Sequence, residues 1–89
     1  MKEVWVNVKD ESTNKSIQNF LINCGIHWSG APNTVYSLSS LYGENTHIGV
    51  KAGYKYMILN NRVIPSDGAK VVSPAKFIEF VQNYIIRRD

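Results

Sequence analysis

Val4, Val6 and Val8 alternate with Trp5, Asn7 and Lys9 near the start of the chain, and no other feature constrains the fold as much. Alternation with period two puts the valines on one face of a strand and Trp5 on the other. An apolar strand face needs a neighbouring strand and a covering layer, and a cover follows at once. Asp10-Glu11-Ser12-Thr13-Asn14 supplies a helix N-cap and acids near the positive end of the helix dipole. Ile17, Phe20, Leu21 and Cys24 then fall at i, i+3, i+4 and i+7, one stripe of an amphipathic helix. Gly25 stands where a C-terminal cap requires a positive φ, and Ile26 where an apolar residue folds back on the last turn. The pattern predicts a helix over about residues 13–24.

Ile26-His27-Trp28 opens a second extended piece, ended by Ser29-Gly30-Ala31-Pro32-Asn33. Val35 to Leu38 reads as a short strand, and Ser39 to Tyr42 as either its continuation or a turn of helix. Ile48, Val50 and Ala52 alternate with His47, Gly49 and Lys51, which predicts a strand, and Tyr56-Met57-Ile58-Leu59 forms a further run. Asn60-Asn61, ahead of Arg62-Val63-Ile64, reads as a hairpin, since Asn tolerates left-handed backbone angles. Pro65-Ser66-Asp67-Gly68 is a turn, and Ser73-Pro74 starts a second helix as N-cap and first helical residue. Phe77, Val81, Tyr84 and Ile85 form its core stripe, widened by Ile78 and Phe80, with Arg87 and Arg88 at its end. The order β-α-β-β-β-β-α predicts an α+β fold: a mainly antiparallel sheet of four to five strands with two helices on one face. Trp5, on the other face, would meet a second helix or a subunit partner.

With 89 residues the chain is read as one domain, 1–89, with a single small core. Charged residues are only 19% of it, below the roughly 25% of an average domain. The surface is therefore rich in uncharged polar and aromatic groups, cheap to desolvate and suited to a homo-oligomer. Cys24 is the only cysteine, so an internal disulfide is excluded and a reducing, cytoplasmic setting is expected. Met1 to Val8 lacks the pattern of a signal peptide. The longest apolar runs fall far short of the ~18 residues of a membrane span.

The net charge of +3 is unevenly spread. Residues 1–44 carry three bases and four acids, whereas residues 45–76 carry Lys51, Lys55, Arg62, Lys70 and Lys76 against Asp67 alone. These cations are interleaved with His47, Tyr54 and Tyr56, a mixture that suits an anionic ligand with a flat ring. The competing reading is a solvated sheet edge, where Lys discourages edge-to-edge pairing. Trp28, between Gly25 and Gly30, is either a stacking platform or core filling. Cys24 and His27 have C-x-x-H spacing, but no second Cys or clustered acid completes a zinc site. No G-x-S-x-G elbow, P-loop or dinucleotide fingerprint is present. The reading is a binding protein without cofactor or metal, not an enzyme.

Val4-Trp5-Val6-Asn7-Val8, then a helix, then Leu21-Ile22-Asn23-Cys24-Gly25-Ile26-His27-Trp28, resembles the small early proteins of tailed bacteriophages. Those commonly carry leucine, two to three residues, glycine, an aromatic or aliphatic residue, any residue and tryptophan. The closing Val72-Ser73-Pro74-Ala75-Lys76-Phe77-Ile78-Glu79-Phe80 is similar to their strand and Ser-Pro-started helix. The resemblance covers the outline of the whole chain, and its motifs are short and mostly structural. It implies a counter-defence role in the host cytoplasm, where some such proteins act as oligomeric sponges for nucleotide second messengers.

The resulting expectation is sequestration of a cyclic oligonucleotide or ADP-ribose derivative, without cleavage, at a subunit interface. Trp28 or Tyr54 would stack on a base, Lys51, Lys55 and Arg62 would neutralise phosphate, and Asn60 or Asn61 would read base or ribose edges. The alternative is a protein–protein inhibitor of a host enzyme, acting through the sheet face or an aromatic patch containing Trp5. Sequence-independent nucleic-acid binding ranks third at this net charge.

Overall fold

A computed structural model describes residues 3–43, 45–51, 53, 55–60 and 70–85. In chain order the elements are β1 (Glu3–Asn7), α1 (Glu11–Asn23), α2 (Leu38–Tyr42), β2 (His47–Lys51), β3 (Ile58–Asn60), β4 (Lys70–Val72) and α3 (Pro74–Phe80). A π-helical turn, Val81–Ile85, continues α3. The expected α+β fold is present.

Among the described residues the sheet runs β3-β2-β1-β4. β1 pairs antiparallel with β2 and β2 with β3, whereas β4 lies parallel to β1 with Trp5 opposite Val71. The sheet is thus mixed. Its inner strands are β1 and β2, and they supply the core: Val4, Val6 and Val8 are buried with Ile48 and Val50 of β2 against Ile17, Leu21, Phe77 and Val81 of the helical layer.

The ends of α1 follow the local chemistry of the sequence. Asp10 is the N-cap, its carboxylate accepting from the Thr13 N–H at 3.0 Å and the Thr13 hydroxyl at 3.1 Å. The helix therefore starts at Glu11, slightly earlier than the apolar stripe suggests. At the other end the Gly25 N–H donates to the Ile22 carbonyl at 3.0 Å and the Ile26 N–H to the Leu21 carbonyl at 2.8 Å. That is the Schellman pair of bonds, and Gly25 supplies the required φ of +87°. Ile26 and Leu21 both join the core. Replacing Asp10 with alanine removes the N-cap bonds and is expected to cost about 0.5–2 kcal/mol in urea denaturation. A smaller loss would mean that α1 does not depend on its cap.

Three expectations change. Val35–Leu38 is not a strand: the chain is irregular to Ser37 and then enters α2, which buries Leu38. Residues 26–28 form no strand but two isolated bridges, His27 with Tyr56 and Trp28 with Ala31. Trp5 lies on the sheet face away from the valines, as the alternation predicts, but at 4% exposed it presents no surface patch. Its indole lies over Gly49 and its Nε1–H donates to the Glu3 carboxylate at 2.6 Å. Tyr54, Ala52, the hairpin around Asn61 and Arg62, the turn at 65–68 and the final Arg87 and Arg88 lie outside the described residues.

Candidate functional site

The residues buried along α1 are Asn14, Ile17, Gln18 and Leu21. This stripe has the expected i, i+3, i+4, i+7 spacing but is rotated from the purely apolar one, so Phe20 and Cys24 are only partly buried and two amides enter the interior. Buried amides must find partners, and these find each other and a loop. The Gln18 Nε2 donates to Asn14 Oδ1 at 2.6 Å and to the Tyr36 carbonyl at 2.8 Å. Its Oε1 accepts from the Trp28 indole N–H and from the Tyr36 N–H, each at 2.9 Å. Asn14 Nδ2 donates to the same Tyr36 carbonyl at 2.7 Å. Both indole and backbone N–H are donors only, so they dictate which end of the Gln18 amide faces them.

The network anchors one wall of a pocket of about 500 Å³, lined by Trp28, Ser29, Tyr36, Leu38, Leu41, Met57, Ile58 and Leu59. Trp28 and Tyr36 meet edge to face with centroids 6.1 Å apart. Opposite them stand β3 and the residue preceding it. The segments are held together by backbone bonds, His27 N–H to the Lys55 carbonyl at 3.2 Å and Met57 N–H to the His27 carbonyl at 3.0 Å. A turn closed by the Ala31 N–H on the Trp28 carbonyl, at 3.0 Å, carries the chain away from the pocket. Of the pocket's lining residues, Leu41 is 62% and Tyr36 39% exposed.

Beside Trp28 in sequence, His27 packs edge to face on Tyr56 with centroids 5.5 Å apart. The exposed Lys55 ammonium lies 5.6 Å from the centre of that same Tyr56 ring. A cation, an imidazole and a phenol are thus gathered one residue along from the indole that lines the pocket.

Of the residues expected at the site, Trp28 lines the pocket and also packs against the core. Lys55 adjoins its backbone neighbour His27. Lys51 ends β2 opposite Glu3, and the strand alternation puts it with Gly49 on the face away from Ile48 and Val50; it does not line the pocket. Asn60 belongs to β3 opposite His47 and is described through its backbone alone. Tyr54, Asn61 and Arg62 fall outside the described residues. Sequence reasoning missed Tyr36, Leu38, Leu41, Asn14 and Gln18. The last two had a signal: they sit one helical turn apart and share the spacing of Ile17 and Leu21.

Burial pushes the Cys24 thiol above its ordinary value, which keeps it protonated and suits a small apolar role. Among the described residues no three of His, Cys, Asp or Glu gather as a metal site, and no helix is long and apolar enough to cross a membrane. Comparison with protein families, curated proteins and solved structures finds no match to this chain.

Proposed function

We propose that this chain is a non-catalytic binding protein that sequesters an anionic nucleotide, with the flat base in the Trp28–Tyr36 pocket and phosphate toward Lys55 and His27. The observation that carries the reading is the aromatic-walled pocket itself, which has the volume of an ordinary small-ligand site. Most of its lining side chains are apolar or aromatic, with the hydroxyls of Ser29 and Tyr36 as the polar groups and no charged residue among them. Such a lining suits a flat ring better than a phosphate. Lys55 lies outside the pocket lining, on the stretch bonded to His27. A ligand with a ring at one end and negative charge at the other matches this division, as cyclic oligonucleotides and ADP-ribose derivatives do. The exposed Leu41 and Tyr36 would be covered by a second copy, which would bury the ligand further. In the phage setting suggested by the sequence, such a protein would blunt nucleotide signalling by holding the messenger intact.

Thermal unfolding against cyclic dinucleotides and ADP-ribose isomers tests this. At a hundredfold excess over Kd, binding adds about 2.7 kcal/mol, and each kcal/mol raises Tm by roughly 4–8 °C at this chain length. Trp28→Ala is expected to remove about 1–3 kcal/mol of stacking, a roughly 5- to 150-fold weaker affinity by calorimetry. The absence of a shift with every nucleotide overturns the proposal, and so does undiminished binding by the folded Trp28→Ala protein.

Among the described residues β3 ends the sheet, and the exposed rim beside it favours one other reading, a protein–protein inhibitor whose partner covers Leu41 and Tyr36. It predicts that Leu41→Lys abolishes inhibition of the partner enzyme, and that the wild-type protein shows no thermal shift with any of the nucleotides.

A further inference from the structure

We infer that Gln18 is a positioning residue for the pocket: its side-chain amide holds the Trp28 ring and the Tyr36 backbone in one arrangement before any ligand arrives. The inference deepens the nucleotide-binding reading and rests on it for its consequence, but its physical basis stands apart. Gln18 is fully buried, and all four hydrogen-bonding positions of its amide are used. Two of those bonds reach the Tyr36 backbone from opposite sides, to its N–H and its carbonyl, and a third reaches the Trp28 indole. One side chain on α1 thus fixes the two segments whose rings meet edge to face in the pocket wall. Asn14, one turn earlier, keeps the amide from turning, because its Oδ1 accepts from Gln18 Nε2.

The arrangement has a consequence for specificity. Trp28 has a single polar hydrogen, and Gln18 already takes it. The indole therefore offers a ligand its ring surface and no donor. The ring held in the pocket is selected by flatness and size, and Trp28 contributes nothing to telling one base edge from another. An indole held by a buried amide also stays put when the pocket is empty, so binding does not have to immobilise it.

Trp5→Phe leaves Trp28 as the sole indole, because the chain contains two tryptophans. In that background Gln18→Met, similar in length but unable to hydrogen bond, is expected to lower Trp28 fluorescence anisotropy and raise its quenching by acrylamide while the far-ultraviolet dichroism stays folded. Affinity for cyclic di-AMP should fall by roughly 2- to 12-fold. A role in stability alone would lower Tm and leave the anisotropy of the folded protein unchanged, and that outcome overturns the inference. The wild-type protein provides a test that needs no variant: the Trp28 indole hydrogen should exchange about tenfold or more slowly than that of a free indole. Exchange at the free rate also overturns it. If cyclic di-AMP fails to bind wild type, the nucleotide reading loses that ligand, while anisotropy and exchange still decide the role of Gln18.

Discussion

Phe77→Ala is expected to destabilise the protein by about 3–5 kcal/mol, as for other large aromatic side chains removed from a closed core. Phe77 is completely buried, the first large side chain that α3 lowers onto the sheet, and it sits among the β1 valines with Ile17, Leu21 and Val81. The position of α3 depends on it. Ser73 caps the helix through a bond of 3.3 Å from the Lys76 N–H, and Pro74 opens it, but both features are exposed and only start the helix. Docking comes from Phe77 and Val81, because β4 leads straight into this helix from its parallel position beside β1. A small domain has about 5–15 kcal/mol in all, so the substitution removes a fifth of it or more. Urea denaturation followed by dichroism measures the loss. A change under about 1 kcal/mol, the level of a surface substitution, would show that α3 is not packed as described.

Gly49→Ala is the second large effect, at about 1–3 kcal/mol or somewhat more. A β-carbon at Gly49 would lie 2.6 Å from two Trp5 ring atoms and 2.7 Å from a third. The obstruction is the face of a rigid bicyclic ring, buried and tethered through its N–H to Glu3. It cannot step aside as the end of a long side chain can. The register places Trp5 directly opposite Gly49, so the glycine is the seat of the indole, and its backbone freedom is of no use in a regular strand. The sign of the effect depends on the partner. In a Trp5→Val background the same Gly49→Ala change should be neutral or stabilising, since alanine loses less chain entropy than glycine. Equal losses in both backgrounds would show that the ring is not the cause.

Both sites illustrate how far local patterns reach. Val4-Val6-Val8, an N-cap within Asp10-Glu11-Ser12-Thr13-Asn14, the Gly25 stop and Ser73-Pro74 are legible because each depends on a handful of consecutive residues and on the period of its own element. The same alternation separates Trp5 from the valines. It does not say that Trp5 meets a glycine across the sheet, since that requires the β1–β2 register. Val35–Leu38 misleads for a related reason. Its apolar residues suit a strand, but the Tyr36 backbone takes its hydrogen bonds from Asn14 and Gln18, more than a dozen residues earlier, and Leu38 is buried by a turn of helix.

The candidate site was legible only at Trp28 and in the basic, aromatic stretch that contains Lys55. Its walls come from residues 28–29, 36–41 and 57–59, segments with no shared period, brought together by the Gln18 amide and the His27–Tyr56 bridge. From its own residues the chain determines which stretches coil or extend, where they stop, and which face of each is apolar, because backbone angles and side-chain period are short-range properties. The tertiary structure alone decided the parallel placement of β4, the seat of Trp5 on Gly49, and the choice of two amides for the inward face of α1. Each of these depends on partners distant in sequence, and a buried polar group or a close ring contact acquires its meaning only from the atom it meets.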